Sequence, residues 1–338
     1  MKALSCVKPE LLEYIDRDMP GLQKNHALIK VKRIGICGTD LHAFEGTQPY
    51  FEYPRVMGHE LAGELIDLDN APGFNIGDAV TIIPYFNCGH CLACNNGNPN
   101  HCINIKVCGV HADGGLAEYL LVPSTALIHS NGLSLDELAL VEPLAVGAHG
   151  IVRAKVNPGE FVLVVGAGPI GLGAMEFAQI AGAKVIALDL NESRLQFCRD
   201  KIDVEYAINA ASANVADELK EITGGNMATV VIDATGNLPA INNSFQYMSH
   251  GARYLLIGLQ KGDIQFSHPE FHKREGTLMS SRNALRSDFD HVMNSLKKGL
   301  IDPSTYITHR VKFEEAKDEF GSWLKPESGV IKVMVSLE

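Results

Sequence analysis

The stretch "VVGAGPIGLGA", residues 164–174, decides how the chain is read. Its glycines at 166, 168 and 171 form the spacing G-x-G-x-x-G. The strand-like run "FVLVVG" (161–166) leads into it, and the helix-like run "PIGLGAMEFAQIAG" (169–182) leaves it. Asp189 closes the next strand-like run, "KVIALD" (184–189). Strand, loop, helix and acid in this order are what a dinucleotide-binding turn requires. Gly166 permits the tight turn, Gly168 lets backbone approach a pyrophosphate, and Gly171 allows close helix–strand packing. Pro169 and Ile170 open the helix, whose free N–H groups and dipole favour phosphate. A carboxylate at 189 accepts hydrogen bonds from a ribose and repels a 2′-phosphate, which predicts NAD rather than NADP. Arg194 lies near that pocket in sequence, where it either blunts the preference or sits on the surface.

Outward from this loop the texture alternates. Helix-like "SRLQFCRD" (193–200) and "NVADELKEITGG" (214–225) are followed by strand-like "TVVIDAT" (229–235) and "ARYLLIGL" (252–259). Such alternation with short links predicts a doubly wound parallel sheet. Residues 26–125 read differently: "HALIKVKRIGI", "ELAGELIDL", "DAVTIIP" and "LAEYLLVP" are strand-like runs divided by Gly, Pro and Asn. After residue 286 come helices near 287–298 and 313–324, then the strand "GVIKVMVSL". With 338 residues, two domains are expected, sharing a hinge and a cleft.

The composition is that of a soluble globular protein: 46% hydrophobic and 20% charged residues. A formal charge of −11 disfavours phosphate backbones and anionic membranes as partners. The N-terminal "MKALSCVKPELLEY" has no secretory pattern, and the longest apolar run is broken by Gly and Pro. A cytoplasmic location is expected.

In a reducing compartment, clustered cysteines point to metal. "CGHCLACNNGNPNHC" (88–102) places Cys88, Cys91, Cys94 and Cys102 in the pattern C-x2-C-x2-C-x7-C within a polar loop. Four thiolates around Zn2+ form a closed, structural site that supplies the stability the loop's side chains lack. Unligated thiols or a nucleic-acid-binding zinc ribbon are the alternatives, and the acidic charge argues against the ribbon. A second, dispersed set is Cys37 in "GICGTDLHA", His59 and Glu60 in "VMGHELAG", and Glu142 in "LVEPLAV". Thiolate, imidazole and carboxylate are a mixed set typical of catalytic zinc. On spacing alone the set is weak, because lone Cys and His residues commonly serve core and turn. Cys6, Cys108 and Cys198 read as buried free thiols.

Taken in order, "GICGTDLHAFEG", "YPRVMGHELAG", the four-cysteine loop, "DGGLAEY" and "VLVVGAGPIGLGA" resemble the zinc-containing medium-chain dehydrogenase/reductase family over essentially the whole chain. The glutamate of "VEPLAV" and the stretch 258–284 are similar to its polyol and sugar-acid branch. The resemblance implies an α/β protein: a GroES-like β-rich catalytic domain over 1–145 completed by 286–338, and a Rossmann NAD-binding domain over 146–285. It implies two zinc ions per chain, one catalytic at Cys37, His59 and either Glu60 or Glu142, and one structural. It implies that Asp40 orients the zinc histidine, that Thr39 accepts the substrate proton and that His42 ends a proton relay. The implied reaction is hydride transfer between NAD and a secondary alcohol of a polyol or sugar acid, by a homodimer or homotetramer. Arg282 is the first candidate for a substrate carboxylate, ahead of His272, Lys273 and Arg274, and Tyr50 and Phe51 for a pocket wall. The competing readings are a sorbitol- or threonine-type dehydrogenase, a non-catalytic NAD- and zinc-binding protein, and a zinc-free reductase of the same fold.

Overall fold

The computed structural model describes residues 1–338, apart from the side chain of Pro326. The chain divides into two compact units, Met1–Pro143 with Leu285–Glu338, and Leu144–Ala284.

The first unit is built on the strand His26–Ile36. Its apolar residues Ile29, Val31 and Ile34 are buried with Leu61, Leu65, Val80, Ile82, Val333 and Val335. The sheet runs in the order Leu127–His129, Ala79–Ile82, Glu60–Leu68, His26–Ile36, Lys332–Ser336, Ile307–Lys312, and Tyr119–Pro123 also pairs with the central strand. One partner of that strand thus comes from the C-terminal tail. Antiparallel register sets Gly35 opposite Glu60 on one side and opposite Met334 on the other. Two strands that the sequence patterns did not reveal, Lys2–Lys8 and Leu11–Asp16, pair with each other, and Lys2–Lys8 also pairs with Arg55–Val56, giving a small second sheet.

The second unit is a six-stranded parallel sheet in the order Tyr206–Asn209, Lys184–Asp189, Phe161–Val165, Ala228–Asp233, Met248–Leu256, Thr277–Ser280. The order reverses at Phe161–Val165, so the crevice for a ligand lies beyond the carboxyl ends of that strand and Ala228–Asp233. The doubly wound sheet expected from strand–helix alternation is present. Its two edge strands escaped sequence reading because each is only four residues long, and the last is largely exposed.

The glycine loop shows why those residues are needed. Gly166 has φ +100°, which favours glycine. A Cβ on Gly171 would overlap the Gly166 carbonyl oxygen, so helix and strand touch through bare backbone. A Cβ on Gly168 would meet nothing within 4 Å, which leaves the backbone open to a ligand. Gly171→Ala is therefore expected to destabilise the protein by about 1–3 kcal/mol, the usual range for overpacking. Thermal unfolding would measure this, and an unchanged midpoint would contradict the close approach.

Candidate active site and metal sites

Cys37 follows directly on the strand His26–Ile36, and His59 directly precedes the strand Glu60–Leu68. Antiparallel pairing brings the end of one to the start of the other. Asp40 fastens the two ends together. It is 1% exposed, and its Oδ2 accepts from Cys37 N at 3.0 Å while its Oδ1 accepts from Gly58 N at 3.1 Å. Burial raises its carboxyl above the usual carboxylate range. His59 Nδ1 lies 3.9 Å from Asp40 Oδ1, beyond hydrogen-bond reach, and this buried atom has no partner among the described residues. Asp40 thus hydrogen-bonds the two backbone turns, and it acts on the His59 ring through its charge.

A ring nitrogen of His59, Cys37 Sγ and a Glu60 carboxylate oxygen lie within 4.8 Å of one another. Donors in a tetrahedral zinc site are about 3.3–3.8 Å apart, so small side-chain rotations suffice. Burial pulls the His59 imidazole down, yet the Cys37 thiolate and Asp40 outweigh it and hold it well above its ordinary value. The pocket concentrates negative charge that a divalent cation would neutralise. Thiolate, imidazole and carboxylate, buried and converging, fit zinc.

Glu142 lies in the first turn of the helix Val141–Ala154 and is 5% exposed, but it is outside the 4.8 Å group. Its Oε1 accepts a hydrogen bond from the Tyr85 hydroxyl. Burial, then the Glu142 charge, push the Tyr85 phenol well above its usual range. Burial likewise raises Glu142 itself. Glu60 has a cationic partner instead. Lys332 Nζ donates to Glu60 Oε1 at 2.7 Å and Oε2 at 2.6 Å, and to the Ile36 carbonyl at 3.2 Å. Burial pulls this ammonium's pKa down, but Glu60 and Cys37 outweigh it and the net shift is upward. Sequence reading missed Tyr85 and Lys332. A lysine inside the apolar run "VIKVMV" was the available signal.

The relay residues are less connected. The half-buried Thr39 sits in the first turn of the helix Gly38–Glu45, and its hydroxyl has no hydrogen-bond partner among the described residues. His42 is exposed, and its Nδ1 lies 3.2 Å from both Glu45 Oε2 and Thr47 Oγ1. Thr39 and His42 are not hydrogen-bonded to each other. Tyr50 is exposed and stacks on His111 at 6.4 Å between centroids, while Phe51 packs edge-on against Tyr53. Arg282 is exposed, and Arg274 pairs with Glu270 at 2.7 Å.

The four loop cysteines converge. Sγ atoms of Cys91 and Cys94 are 3.5 Å apart, those of Cys91 and Cys102 3.8 Å, and those of Cys88 and Cys102 3.4 Å. Four sulfurs around one zinc are about 3.8 Å apart, whereas a disulfide needs about 2.05 Å. The backbone N–H groups of Cys88 and Asn104 donate to Cys102 Sγ at 3.3 and 3.4 Å. The Cys88 thiol is lowered to about 6, chiefly by the His90 backbone N–H. The other three cysteines are inert: burial pushes the Cys6 thiol up to about 11, and those of Cys108 and Cys198 up to about 12.

In the second unit, Gly168 caps the helix Pro169–Ile180 without a side-chain acceptor. Asp189 Oδ2 accepts from Ala167 N at 2.7 Å, and its Oδ1 from Asn191 N at 2.9 Å. The acid expected to meet a ribose thus also fixes the glycine loop. The half-buried Arg194 lies in the first turn of the helix Glu192–Ile202.

Two family models match: alcohol dehydrogenase GroES-like domain over residues 23–132 and zinc-binding dehydrogenase over residues 169–298. The L-galactonate-5-dehydrogenase of Escherichia coli (strain K12) is 44% identical over 314 residues, 93% of this chain and 92% of that one. The chain belongs to the zinc-type alcohol dehydrogenase family. A sorbitol dehydrogenase of Halalkalibacterium halodurans is 32% identical over 89% of both chains. Among solved structures, the alcohol dehydrogenase RspB of E. coli CFT073, complexed with NADH, aligns with a TM-score of 0.92 at 30% identity, over 100% of this chain and 99% of that one. The chain is thus a zinc-type alcohol dehydrogenase, an oxidoreductase with zinc and a nicotinamide dinucleotide as cofactors. Its GroES-like and Rossmann parts accord with the family. Among the described residues, no helix is long and apolar enough to cross a membrane.

For this dehydrogenase, Cys94→Ser is expected to leave about one zinc per chain instead of two, by elemental analysis, and to lower the unfolding midpoint, because structural zinc contributes on the order of 10 kcal/mol. Two zinc ions retained would contradict the four-thiolate site.

Proposed function

We propose that this dehydrogenase oxidises a secondary alcohol of a sugar acid such as L-galactonate, reversibly, with NAD. The identity of 44% to an L-galactonate-5-dehydrogenase over nearly the whole chain carries the substrate class. The convergent Cys37 and His59, with the buried carboxylates of Glu60 and Glu142 as candidates to join them, carry the chemistry. Zinc held there would supply Lewis acidity, and the dinucleotide would accept hydride. Cys37, His59 and one carboxylate, Glu60 or Glu142, hold the metal, and Cys88, Cys91, Cys94 and Cys102 hold the structural ion.

The remaining work falls to the chain. Thr39, with an unengaged hydroxyl, takes the proton from the substrate hydroxyl. His42 passes it to solvent at the exposed end of its helix. An imidazole suits this step because its ordinary pKa is near neutrality. Asp40 fixes the Cys37 and Gly58 turns, so the ligands stay in place as charge moves. Gly166, Gly168, Pro169, Ile170 and Gly171 cradle the pyrophosphate, and Asp189 selects NAD at the ribose with Arg194 beside it. We assign Leu144–Ala284 as the NAD-binding domain and the other unit as the catalytic domain. Arg282 meets the substrate carboxylate, and Tyr50 borders the pocket. The cytoplasm keeps such thiols reduced. The exposed edge strand Thr277–Ser280 suits assembly into a homo-oligomer.

Thr39→Ala should lower turnover by about 10²–10⁴-fold, the span for a lost proton-transfer group. Unchanged turnover would remove Thr39 from the relay. The substrate class is tested by kcat/KM for L-galactonate, sorbitol and L-threonine with NAD. L-Galactonate should lead, and Arg282→Ala should impair the acid selectively. Sorbitol or threonine leading would overturn the substrate assignment.

A further inference from the structure

Glu60 and Lys332 stand on the two strands that flank His26–Ile36, so their ion pair must cross that strand. It crosses at Gly35. This residue faces Glu60 in register, and a Cβ there would overlap Glu60 Oε2. Both partners are fully buried, at 0% and 1% exposure. All three ammonium protons have acceptors: the two carboxylate oxygens and the Ile36 carbonyl. The carboxylate is therefore drawn by both oxygens towards a cation, although one of them is also within 4.8 Å of Cys37 Sγ and a His59 nitrogen.

We propose that Lys332 is a positioning residue that restrains Glu60, holding its carboxylate over Gly35 and keeping one coordination position of the catalytic metal open to the substrate oxygen. This rests on the reading of Cys37 and His59 as metal ligands and takes Glu142, of the two candidate carboxylates, as the one that joins them. Two cations compete for one carboxylate, the ammonium and the metal. Without Lys332, Glu60 is a buried charge whose available counter-ion is the metal, and burial makes that attraction strong. The carboxylate then rotates onto the open position and closes it. Glu142 is restrained by a neutral hydroxyl, Tyr85, which leaves its charge in place for the metal.

The test replaces zinc by cobalt(II) in the full chain and follows the visible spectrum during titration with imidazole, a small ligand for an open position. Four thiolates leave no open position at the structural ion, so the response reports the catalytic one. Wild type should bind imidazole. Lys332→Met should keep its cobalt and bind imidazole at least about tenfold more weakly, within the range for lost outer-shell partners. The double variant Glu60→Gln/Lys332→Met should recover wild-type binding, which a general loss of structure would not allow. Folded, loaded Lys332→Met with wild-type binding would overturn the proposal, as would a double variant no better than the single. If Lys332→Met does not fold, Gly35→Ala is read in the same way, since its methyl group pushes the carboxylate off the ammonium. Weakened binding rescued by Glu60→Gln supports the restraint, and unchanged binding overturns it. Turnover is not read, so a wrong substrate assignment leaves the result standing. A wild-type spectrum that imidazole does not move would sink the open-site reading, and this proposal with it.

Discussion

A single buried carboxylate joins the two turns on which the candidate active site stands. Asp40 accepts from the backbone N–H groups of Cys37 and Gly58, residues from opposite ends of paired antiparallel strands. Those turns carry the thiol of Cys37 and the imidazole of His59, two donors that would have to approach one ion together. Backbone donors are rigid, so a carboxylate shared between them fixes relative position better than contact between long side chains. Its cost is desolvation, visible as a carboxyl raised by burial.

Legibility from sequence followed the range of the interactions. The glycine loop is local: Gly166, Gly168, Gly171 and Asp189 lie within one strand–helix–strand passage, and their spacing carried the reading. The central strands of both sheets were equally plain, because "HALIKVKRIGI" and "KVIALD" fill whole strands with their own propensity. The cysteine loop was legible because a closed thiolate set needs short spacings. Lys332 was not, since its partner Glu60 lies 272 residues away and only strand order brings them together. The meaning of Gly35 appears only with Glu60 opposite it across the strands. Tyr85 was not legible either, because its partner Glu142 lies 57 residues beyond it.

The two metal sites draw on opposite physical resources. Around Cys88, Cys91, Cys94 and Cys102, the segment has little core of its own, and Leu92 and Ile103 are exposed within it. Shape there must come from the ion and from N–H donors to sulfur. Around Cys37 and His59 the shape is already set by the core of the central sheet, so a metal held there would not need a full set of protein ligands. The first site makes structure, and the second uses structure made elsewhere. That is the physical distinction between a closed set of like donors and an open set of mixed ones.

The charges around Cys37 would couple the stability of the first unit to a metal bound among them. Asp40, His59, Glu60, Glu142 and Lys332 are all nearly or fully buried, and one lysine is a poor match for three carboxyls and a thiol. Breaking a buried pair costs about 3–5 kcal/mol, so Lys332 and Glu60 are each held in place by the other. Of the unmatched charge, Cys37 and Asp40 lift the His59 imidazole against the effect of burial. A divalent ion bound there would settle the excess, and its binding free energy would add to folding free energy. The same imbalance that favours the metal would also draw Glu60 onto it. A second cation, placed across a glycine from that carboxylate, keeps a strongly attracting site from closing on itself.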